Sequence, residues 1–329
     1  MIHLFDGSHG RVTTGLHPEA TELAMRGMGA TGPFLLGQCD RIMRWLLSSD
    51  GIIPSSLFNA LSTCDASQPT IESGRVFAWG RSCAMWAMRG GIGADVPAEV
   101  GLLESPRPGS CPARVVRAIS DFQRVVTFDE ADAQAWIAAG VPGVRVEMRT
   151  PTVVLPTIGS RAELRARLGV GEHERLIFPI ASPWNALDAQ RFIFMIGLLR
   201  VIGIEASAIV PAQAWRLAEA RVFRRRSGLG TGMFVIDGPL AAYLPACDAA
   251  FMDSARGRDL LFPYVPRGAL RVLLYAAEQA QLPIAISPAA AIQPVPSRPL
   301  SVSEELSPLA ELLKDSTTQS HAAILGATA

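Results

Sequence analysis

Residues 176–210 read LIFPIASPWNALDAQRFIFMIGLLRVIGIEASAIV, two short apolar runs separated by a longer apolar segment. This pattern predicts a strand over Leu176–Ile180, a helix over Leu187–Val201 and a second strand over Ile204–Val210. Strands joined by a helix lie parallel, and the helix covers one face of the sheet that they form. We therefore expect this half of the chain to be built on a parallel sheet.

The same alternation continues toward the C-terminus. The predicted elements are a helix over Ala212–Arg226, a strand over Met233–Asp237, a short helix over Leu240–Pro245, a strand over Ala249–Asp253, a helix over Arg267–Gln281, a strand over Ile284–Ser287 and a helix over Ser303–Leu313. Repeated strand–helix units of this kind predict a Rossmann-like α/β domain.

The first half is less regular but belongs to the same class. Strands are predicted over Met1–Phe5, Gly32–Gly37, Arg75–Ala78, Val100–Leu103, Arg124–Phe128 and Val144–Glu147, with helices over Pro18–Gly27, Arg81–Met88 and Ala131–Ala139. Asp129 is expected to cap the last of these helices, and Gly140 to end it. We expect a second Rossmann-like domain here.

A connector separates the halves. Residues 150–160 contain two prolines, a glycine and no charge, which favours extended chain. Ser160 and Glu163 then form a capping box, and Gly169 is placed to end the helix that they start. The sequence thus predicts an N-terminal domain over residues 1–155 and a C-terminal domain over residues 156–329.

Composition excludes several classes of protein. The 329 residues carry 30 basic and 30 acidic side chains, so the basic surface of a nucleic-acid-binding protein is not expected. A hydrophobic content of 49% excludes a disordered chain. The apolar run Phe192–Leu199 is too short to span a membrane, and the N-terminus lacks the pattern of a signal peptide, so a cytoplasmic protein is expected. The scattered cysteines and histidines predict neither disulfides nor a metal site, and no cofactor is expected.

Five segments together resemble the GT-B glycosyltransferases, and specifically their retaining GT4 (group 1) type. They are Val76–Arg81, Arg124–Ala133 with Gly140–Val146, Ser160–Gly169, Asp237–Met252 and Leu273–Ala285, which are similar to that family's segments "HAWGR", "drvvcvSeadaa…lGvpp.rv.vi", "raelRarlGl", "lGfvddlpalyaaaDvfv" and "lLEAmAaGlPvva". The resemblance covers roughly residues 75–316. It implies two Rossmann-like domains facing across a cleft, with the acceptor on the N-terminal side and a nucleotide-sugar donor on the C-terminal side.

The departures from the family fall at its chemical residues. The resemblance places Arg267 and Tyr275 where the family carries the two acids of its E-x7-E motif. It places Ser182 and Leu187 where the family carries an Arg and a Lys that hold the donor phosphates. Two functions therefore stay open: a divergent, metal-independent glycosyltransferase, and an inactive GT-B pseudoenzyme that acts as a scaffold or partner of an active transferase. A third is another protein with two Rossmann-like domains, such as an epimerase or a periplasmic-type binding module.

On the N-terminal side, the candidate site residues are a loop and one acid. The loop after the first strand contains Gly7, His9, Gly10 and Arg11, where glycines allow close approach to a ligand and Arg11 suits an anion. Its alternative is an ordinary turn. Glu104 follows a predicted strand and is the candidate catalytic residue, as a base or to orient an acceptor hydroxyl. Its alternative is a solvated acid in a turn.

On the C-terminal side, the candidate donor-binding residues are arginines and aromatic residues. Arg256, Arg258 and Arg267 are expected to replace the missing phosphate ligands, because guanidinium groups bind phosphate in a bidentate manner. The alternative for the loop of Arg256 and Arg258 is a solvated polar segment. The remaining donor-binding candidates are Tyr275, at the second acid position, and Trp184 with Asn185, where the Trp either stacks on a base or sugar or fills the space of the missing Arg and Lys.

One further cluster bears on partners. Arg221, Arg224, Arg225 and Arg226 lie at the end of one predicted helix, and their alternatives are a solvated face and a contact with an anionic membrane. The expected partners are a nucleotide-sugar donor and an unidentified glycan, lipid or small-molecule acceptor. No nucleic acid is expected, and a homo- or hetero-oligomer stays open.

Overall fold

The computed structural model describes residues 2–5, 18–29, 34–35, 74–86, 92–93, 95–106, 111–156, 158–182, 184–228, 232–253, 267–288 and 301–326, with the backbone alone for 315–326. Within these residues the chain forms two parallel sheets covered by helices. The predicted α/β class with two Rossmann-like sheets is confirmed.

The chain divides into two compact units. Unit 1 contains Met1–Ile158 and Tyr264–Ala276, and unit 2 contains Gly159–Pro263 and Ala277–Ala329. The short segment Tyr264–Ala276 therefore belongs with the first half of the sequence, although it lies far along the chain. The predicted domain boundary at residues 155/156 stays a prediction about folding domains.

Unit 1 is built on a six-stranded parallel sheet in the order β2-β1-β3-β4-β5-β6. Its strands are β1 (Ile2–Phe5), β2 (Phe34–Leu35), β3 (Val76–Trp79), β4 (Ala98–Leu102), β5 (Arg124–Thr127) and β6 (Val146–Met148). Its helices are α1 (Pro18–Gly27), α2 (Gly80–Trp86), α3 (Ala113–Ser120) and α4 (Glu130–Ala138). The central strand β3 is buried at every position, as expected of a parallel strand covered on both faces.

Unit 2 is built on a five-stranded parallel sheet in the order β11-β10-β7-β8-β9. Its strands are β7 (Arg175–Pro179), β8 (Ala206–Pro211), β9 (Met233–Ile236), β10 (Ala249–Met252) and β11 (Ile284–Ile286). Its helices are α5 (Arg161–Leu168), α6 (Ala189–Val201), α7 (Leu217–Arg226) and α9 (Val302–Gly326). Helix α8 (Arg267–Gln279) begins in unit 1 and ends in unit 2.

The core of unit 2 lies between its sheet and helix α6. Phe192, Ile196 and Leu199 of α6 are fully buried and share one cluster with Phe251 of β10 and Leu309 of α9. Phe192 and Phe251 stack with their ring centroids 6.4 Å apart. The apolar helix predicted from residues 187–201 is therefore the element that closes this core.

The predicted helix caps are present. Ser160 and Glu163 form the reciprocal capping box of α5, and Gly169 ends that helix at φ 71°. Asp129 accepts a hydrogen bond from the Ala131 backbone N–H at 3.0 Å and so caps α4. These are local interactions, which explains why the sequence alone predicts them.

Helix α3 (Ala113–Ser120) was not predicted, and two predicted helices have clearly different bounds. Helix α7 begins at Leu217 and not at Ala212, because residues 212–216 form a turn in which Arg216 has φ 57°. The final helix was predicted over Ser303–Leu313 and runs over Val302–Gly326. Within the described residues, no helix combines the length and the hydropathy needed to cross a bilayer.

Candidate active site

Polar side chains gather where β3, β4 and β5 of unit 1 end. Arg81 follows β3 on the first turn of α2, Glu104 and Ser105 follow β4, and Asp129 and Asp132 follow β5. The carboxyl ends of neighbouring parallel strands meet at one edge of the sheet, which brings these three loops together. This is also the edge at which open α/β sheets bind ligands.

Glu104 is the buried carboxylate of this edge. It is 2% exposed, and Arg81 holds it through two hydrogen bonds, Nε to Oε1 at 2.7 Å and Nη2 to Oε2 at 3.0 Å. The backbone carbonyl of Glu104 accepts a hydrogen bond from Trp136 Nε1 at 2.7 Å. Glu104 is therefore a fixed, buried group, and the alternative of a solvated acid does not describe it.

Burial also changes the ionisation of Glu104. It raises the pKa of Glu104 from 4.5 to about 7, although the charge and the hydrogen bonds of Arg81 lower it. The nearby carboxylate of Asp132 adds a smaller upward contribution to the pKa. A carboxyl group with a pKa near 7 exchanges protons at neutral pH, which is the property required of a general acid or base.

Asp132 is a second buried acid at this edge, and its role was not predicted from the sequence. It is fully buried, and it accepts hydrogen bonds from the Ser105 hydroxyl and from the Gly268 backbone N–H, the latter at 2.7 Å. Burial raises the pKa of Asp132 to about 6, while these hydrogen bonds and the charge of Arg267 lower it. Its position in the first turn of α4 is the only sequence signal that it carried.

The N-terminus of α8 docks on the same edge within unit 1. Besides the Gly268 bond to Asp132, the Ala269 backbone N–H donates to the Leu103 carbonyl at 3.1 Å. Arg271 pairs with Asp129 at 3.1 Å. Gly268 allows this close approach, since a Cβ at this position would lie 3.0 Å from the Leu103 Cα, which is tighter than an ordinary contact. Two backbone donors of the α8 N-terminus are thus already occupied by groups of the chain itself.

Arg267 and Tyr275 both lie on α8. Arg267 is its first residue, Tyr275 lies two turns further on, and both are half-buried. Their assignment to the donor stays a prediction.

The loop after β7 in unit 2 contains the other predicted donor-binding residues that the structure describes. Trp184 packs edge-on against Phe178 of β7, with the ring centroids 6.2 Å apart. Asn185 lies beside it in a short 3₁₀ segment, of which the structure describes only the backbone at this residue. Leu187, at the predicted position of a family Lys, is 3% exposed and belongs to the core. Ser182, at the position of the family Arg, is 6% exposed, and its hydroxyl has no hydrogen-bond partner among the described residues.

The turn before α7 contacts this loop, at residues for which the sequence predicts a helix. The Trp215 backbone N–H donates to the Leu187 carbonyl at 3.0 Å, and the Ala189 N–H donates to the Trp215 carbonyl at 2.9 Å. The Arg216 guanidinium lies 5.4 Å from the Trp215 ring centroid and 3.5 Å from the Asp188 carboxylate. These contacts explain why the helix starts late.

The remaining candidates lie outside the described residues. They are Gly7, His9, Gly10 and Arg11 of the predicted cleft loop, and Arg256 and Arg258 of the predicted donor site. In the part of the chain that is described, no three His, Cys, Asp or Glu side chains are grouped so as to hold a metal ion.

Comparison with known proteins finds solved structures of the same fold. No protein-family profile matches the sequence, and no curated protein matches it. Among solved structures, Anabaena HepE in complex with UDP-glucose matches 97% of this chain and 91% of its own, with a TM-score of 0.59 and 16% sequence identity. WaaG, a glycosyltransferase involved in lipopolysaccharide biosynthesis, matches 96% of this chain and 91% of its own, with a TM-score of 0.51 and 11% identity. The chain has the fold of the GT-B glycosyltransferases.

Proposed function

We propose that the protein is a glycosyltransferase that moves a sugar from a nucleotide-sugar donor to an unidentified acceptor without a metal ion. The observation that carries this proposal is the likeness of almost the whole chain to HepE, whose structure contains UDP-glucose. A match over 97% of the chain includes both sheets, and therefore both halves of the fold that such enzymes use. Membership of the retaining GT4 type, with its E-x7-E motif lost, is part of the proposal.

The chemistry at the edge of the unit 1 sheet supports the proposal. Glu104 has a pKa of about 7, so an ionised fraction is present at neutral pH to accept a proton from an acceptor hydroxyl. Arg81 fixes the carboxylate through a two-point contact, which limits the directions from which a hydroxyl can approach it. We assign Glu104 as the catalytic residue and Arg81 as the residue that positions it.

We assign donor binding to the residues that the resemblance to the GT-B family selects. Arg256, Arg258 and Arg267 supply positive charge for the diphosphate, and Tyr275, Trp184 and Asn185 supply contacts to the sugar or base. The loop of Gly7, His9, Gly10 and Arg11 supplies backbone N–H groups and a guanidinium. Each charge-assisted hydrogen bond that is retained contributes about 1.5–3 kcal/mol.

A second function, an inactive GT-B scaffold, is favoured by one observation. Asp132 and the Leu103 carbonyl already bind the backbone N–H groups of Gly268 and Ala269, next to the position where Arg267 replaces a motif acid. A helix N-terminus filled by the chain's own carboxylate has less capacity for a donor phosphate.

Two measurements separate these functions. Thermal unfolding is recorded with UDP, GDP, ADP and the corresponding nucleotide sugars, since a ligand at 100 times its Kd stabilises the folded state by about 2.7 kcal/mol. Release of the nucleoside diphosphate from each sugar donor is then measured for the wild type and for Glu104→Gln. Stabilisation with turnover that Glu104→Gln abolishes supports the transferase. Stabilisation without turnover favours the scaffold. If the nucleotides cause neither stabilisation nor turnover, the donor site is rejected and the scaffold is again favoured.

A further inference from the structure

Helix α6 of unit 2 exposes large apolar side chains on its outer face. Phe194 is 39% exposed, Val201 is 82% exposed and Ile202, at the end of the helix, is 50% exposed. The spacings of seven and eight residues place all three on one side of the helix. The opposite side of α6 carries the buried residues of the core, so the helix is apolar on both sides. An apolar outer face of this kind marks an interaction surface.

Helix α7 adds positive charge beside this apolar face. Arg221, Val222, Arg225 and Arg226 are exposed, and their spacings of one, four and five residues place them on one side of α7. Val222 is 37% exposed. Arg224 is different, because its Nη1 donates to the Met233 carbonyl at 3.2 Å and so binds the unit's own sheet.

The two faces form one surface. Phe194 of α6 and Phe223 of α7 meet edge to face, with the ring centroids 5.8 Å apart. Helices α6 and α7 follow the adjacent parallel strands β7 and β8, and right-handed crossovers place them on the same side of the sheet. We call this surface the α6–α7 face and define it by its outward residues Phe194, Val201, Ile202, Arg221, Val222, Arg225 and Arg226.

We propose that the α6–α7 face binds the surface of an anionic lipid bilayer. Exposed aliphatic and aromatic side chains enter the interfacial region of a bilayer, and guanidinium groups around them pair with lipid phosphates. The chain has no net charge, so three exposed arginines on one helix end are a local feature and not a consequence of a basic protein. The exposed acids beside them are Glu219, in the first turn of α7, and Glu205, beyond the end of α6.

Charge favours a lipid surface over a second copy of the chain. A symmetric dimer through this face would place the same arginines of both copies in one interface, where they repel each other. A bilayer that contains anionic lipids offers the opposite charge along the whole face. The proposal concerns unit 2 alone and does not depend on the glycosyltransferase function.

The test is co-sedimentation of the full chain with vesicles. Vesicles of phosphatidylcholine alone are compared with vesicles that also contain phosphatidylglycerol, at low and at physiological salt. We expect binding to the anionic vesicles only, weakened by salt because the arginines are exposed. Arg225→Gln/Arg226→Gln should weaken that binding about 30-fold, since each basic residue near an anionic membrane strengthens binding about fivefold.

The matched control is Arg114→Gln/Arg117→Gln, which removes two exposed arginines from helix α3 of unit 1 and should leave vesicle binding unchanged. A second variant, Val201→Ser/Ile202→Ser, tests the apolar part, and it should weaken binding without lowering the melting temperature because both side chains are exposed. The proposal is overturned if the wild type ignores anionic vesicles, or if both arginine variants bind them equally. It is also overturned if light scattering shows a dimer that the Val201/Ile202 variant dissociates while vesicle binding is absent.

Discussion

Glu104 shows how one buried residue links stability to pH. Its folded pKa of about 7 lies above its ordinary value of 4.5, so the folded protein binds this proton more tightly than the unfolded chain does. The stabilisation that results is complete below about pH 4.5 and is lost as the pH rises through about 7. Asp132 acts in the same direction, with the loss ending near its own pKa of about 6.

We predict that Glu104→Gln flattens this dependence. The wild type should lose stability from about pH 4.5 to about pH 7, and the variant should lose less because glutamine does not titrate. Urea unfolding at a series of pH values measures the difference. Glu147→Gln is the control, since the hydrogen bond from Arg149 lowers the pKa of Glu147. The change in stability caused by Glu147→Gln is therefore expected at more acidic pH than the change caused by Glu104→Gln. Equal slopes for the wild type and Glu104→Gln would contradict the burial of this carboxylate.

Gly101 is a second residue whose role follows from close packing. It lies in β4 opposite Trp79 of β3, and a Cβ there would be 2.5 Å from Phe77 Cε1 and 3.0 Å from Trp79 Cε3. Both aromatic side chains are fully buried and cannot move aside.

Gly101→Ala should therefore lower the free energy of unfolding by about 1–3 kcal/mol. Gly143→Ala is the matched control, because its new Cβ would meet Ile137 at 3.7 Å, an ordinary contact. Denaturant unfolding of both variants measures the difference, and an equal effect would show that the space beside Gly101 relaxes.

At the scale of elements, α8 is held at its N-terminus by residues from two segments, one that follows β4 and one that follows β5. The Gly268 N–H bonds to Asp132, the Ala269 N–H bonds to the Leu103 carbonyl, and Arg271 pairs with Asp129. The first N–H groups of a helix have no partner inside the helix, so external acceptors stabilise this end. Arg271 is exposed, and its pair contributes less than the two buried backbone bonds.

We predict that Asp132→Ala releases this end of α8. Loss of the carboxylate leaves the buried Gly268 N–H without an acceptor, at a cost of about 1–3 kcal/mol. The partly buried Ser105 hydroxyl loses the same acceptor. Hydrogen exchange of the Gly268 amide should accelerate strongly, while amides of α5, held by its own capping box, should keep their rates. Asp132→Asn keeps one acceptor oxygen and should fall between the wild type and Asp132→Ala. Unchanged exchange at Gly268 would show that Asp132 does not hold the helix.

For the whole molecule, the compact units do not follow the order of the sequence. The first ten residues of α8 belong to unit 1, so the chain passes between the units three times. The connector is also packed and not free, because a Cβ on Gly27 would overlap the backbone of Thr152, and Pro151 and Pro156 are buried.

The proposed donor site makes a prediction at this scale. Arg267 begins α8, and its charge lies close enough to lower the pKa of Asp132. We predict weak, metal-independent binding of a nucleoside diphosphate, which Arg267→Ala weakens at least about tenfold, or about 1.4 kcal/mol. Arg271→Ala, on the same helix but paired with Asp129, is the control and should change binding far less.

Titration calorimetry of the three proteins measures this binding. No binding by the wild type would favour the scaffold function. Binding that Arg267→Ala leaves intact would show that the diphosphate is held elsewhere, since the charge of Arg267 would then not contribute to it.

The sequence by itself determined the α/β class, the parallel sheets and most of the helix ends. Apolar periodicity and caps such as Ser160–Glu163 and Asp129 act over a few residues, so they are readable without the fold. Only the tertiary structure placed Asp132 against Gly268, 136 residues away, and buried Glu104 beside Arg81. The tertiary structure also delayed the start of α7 until after Trp215 and Arg216, because the hydrogen bonds of Trp215 to the loop after β7 override helix propensity there. Local interactions specify elements, whereas the charge, burial and pKa of a site depend on which distant loops the sheet brings together.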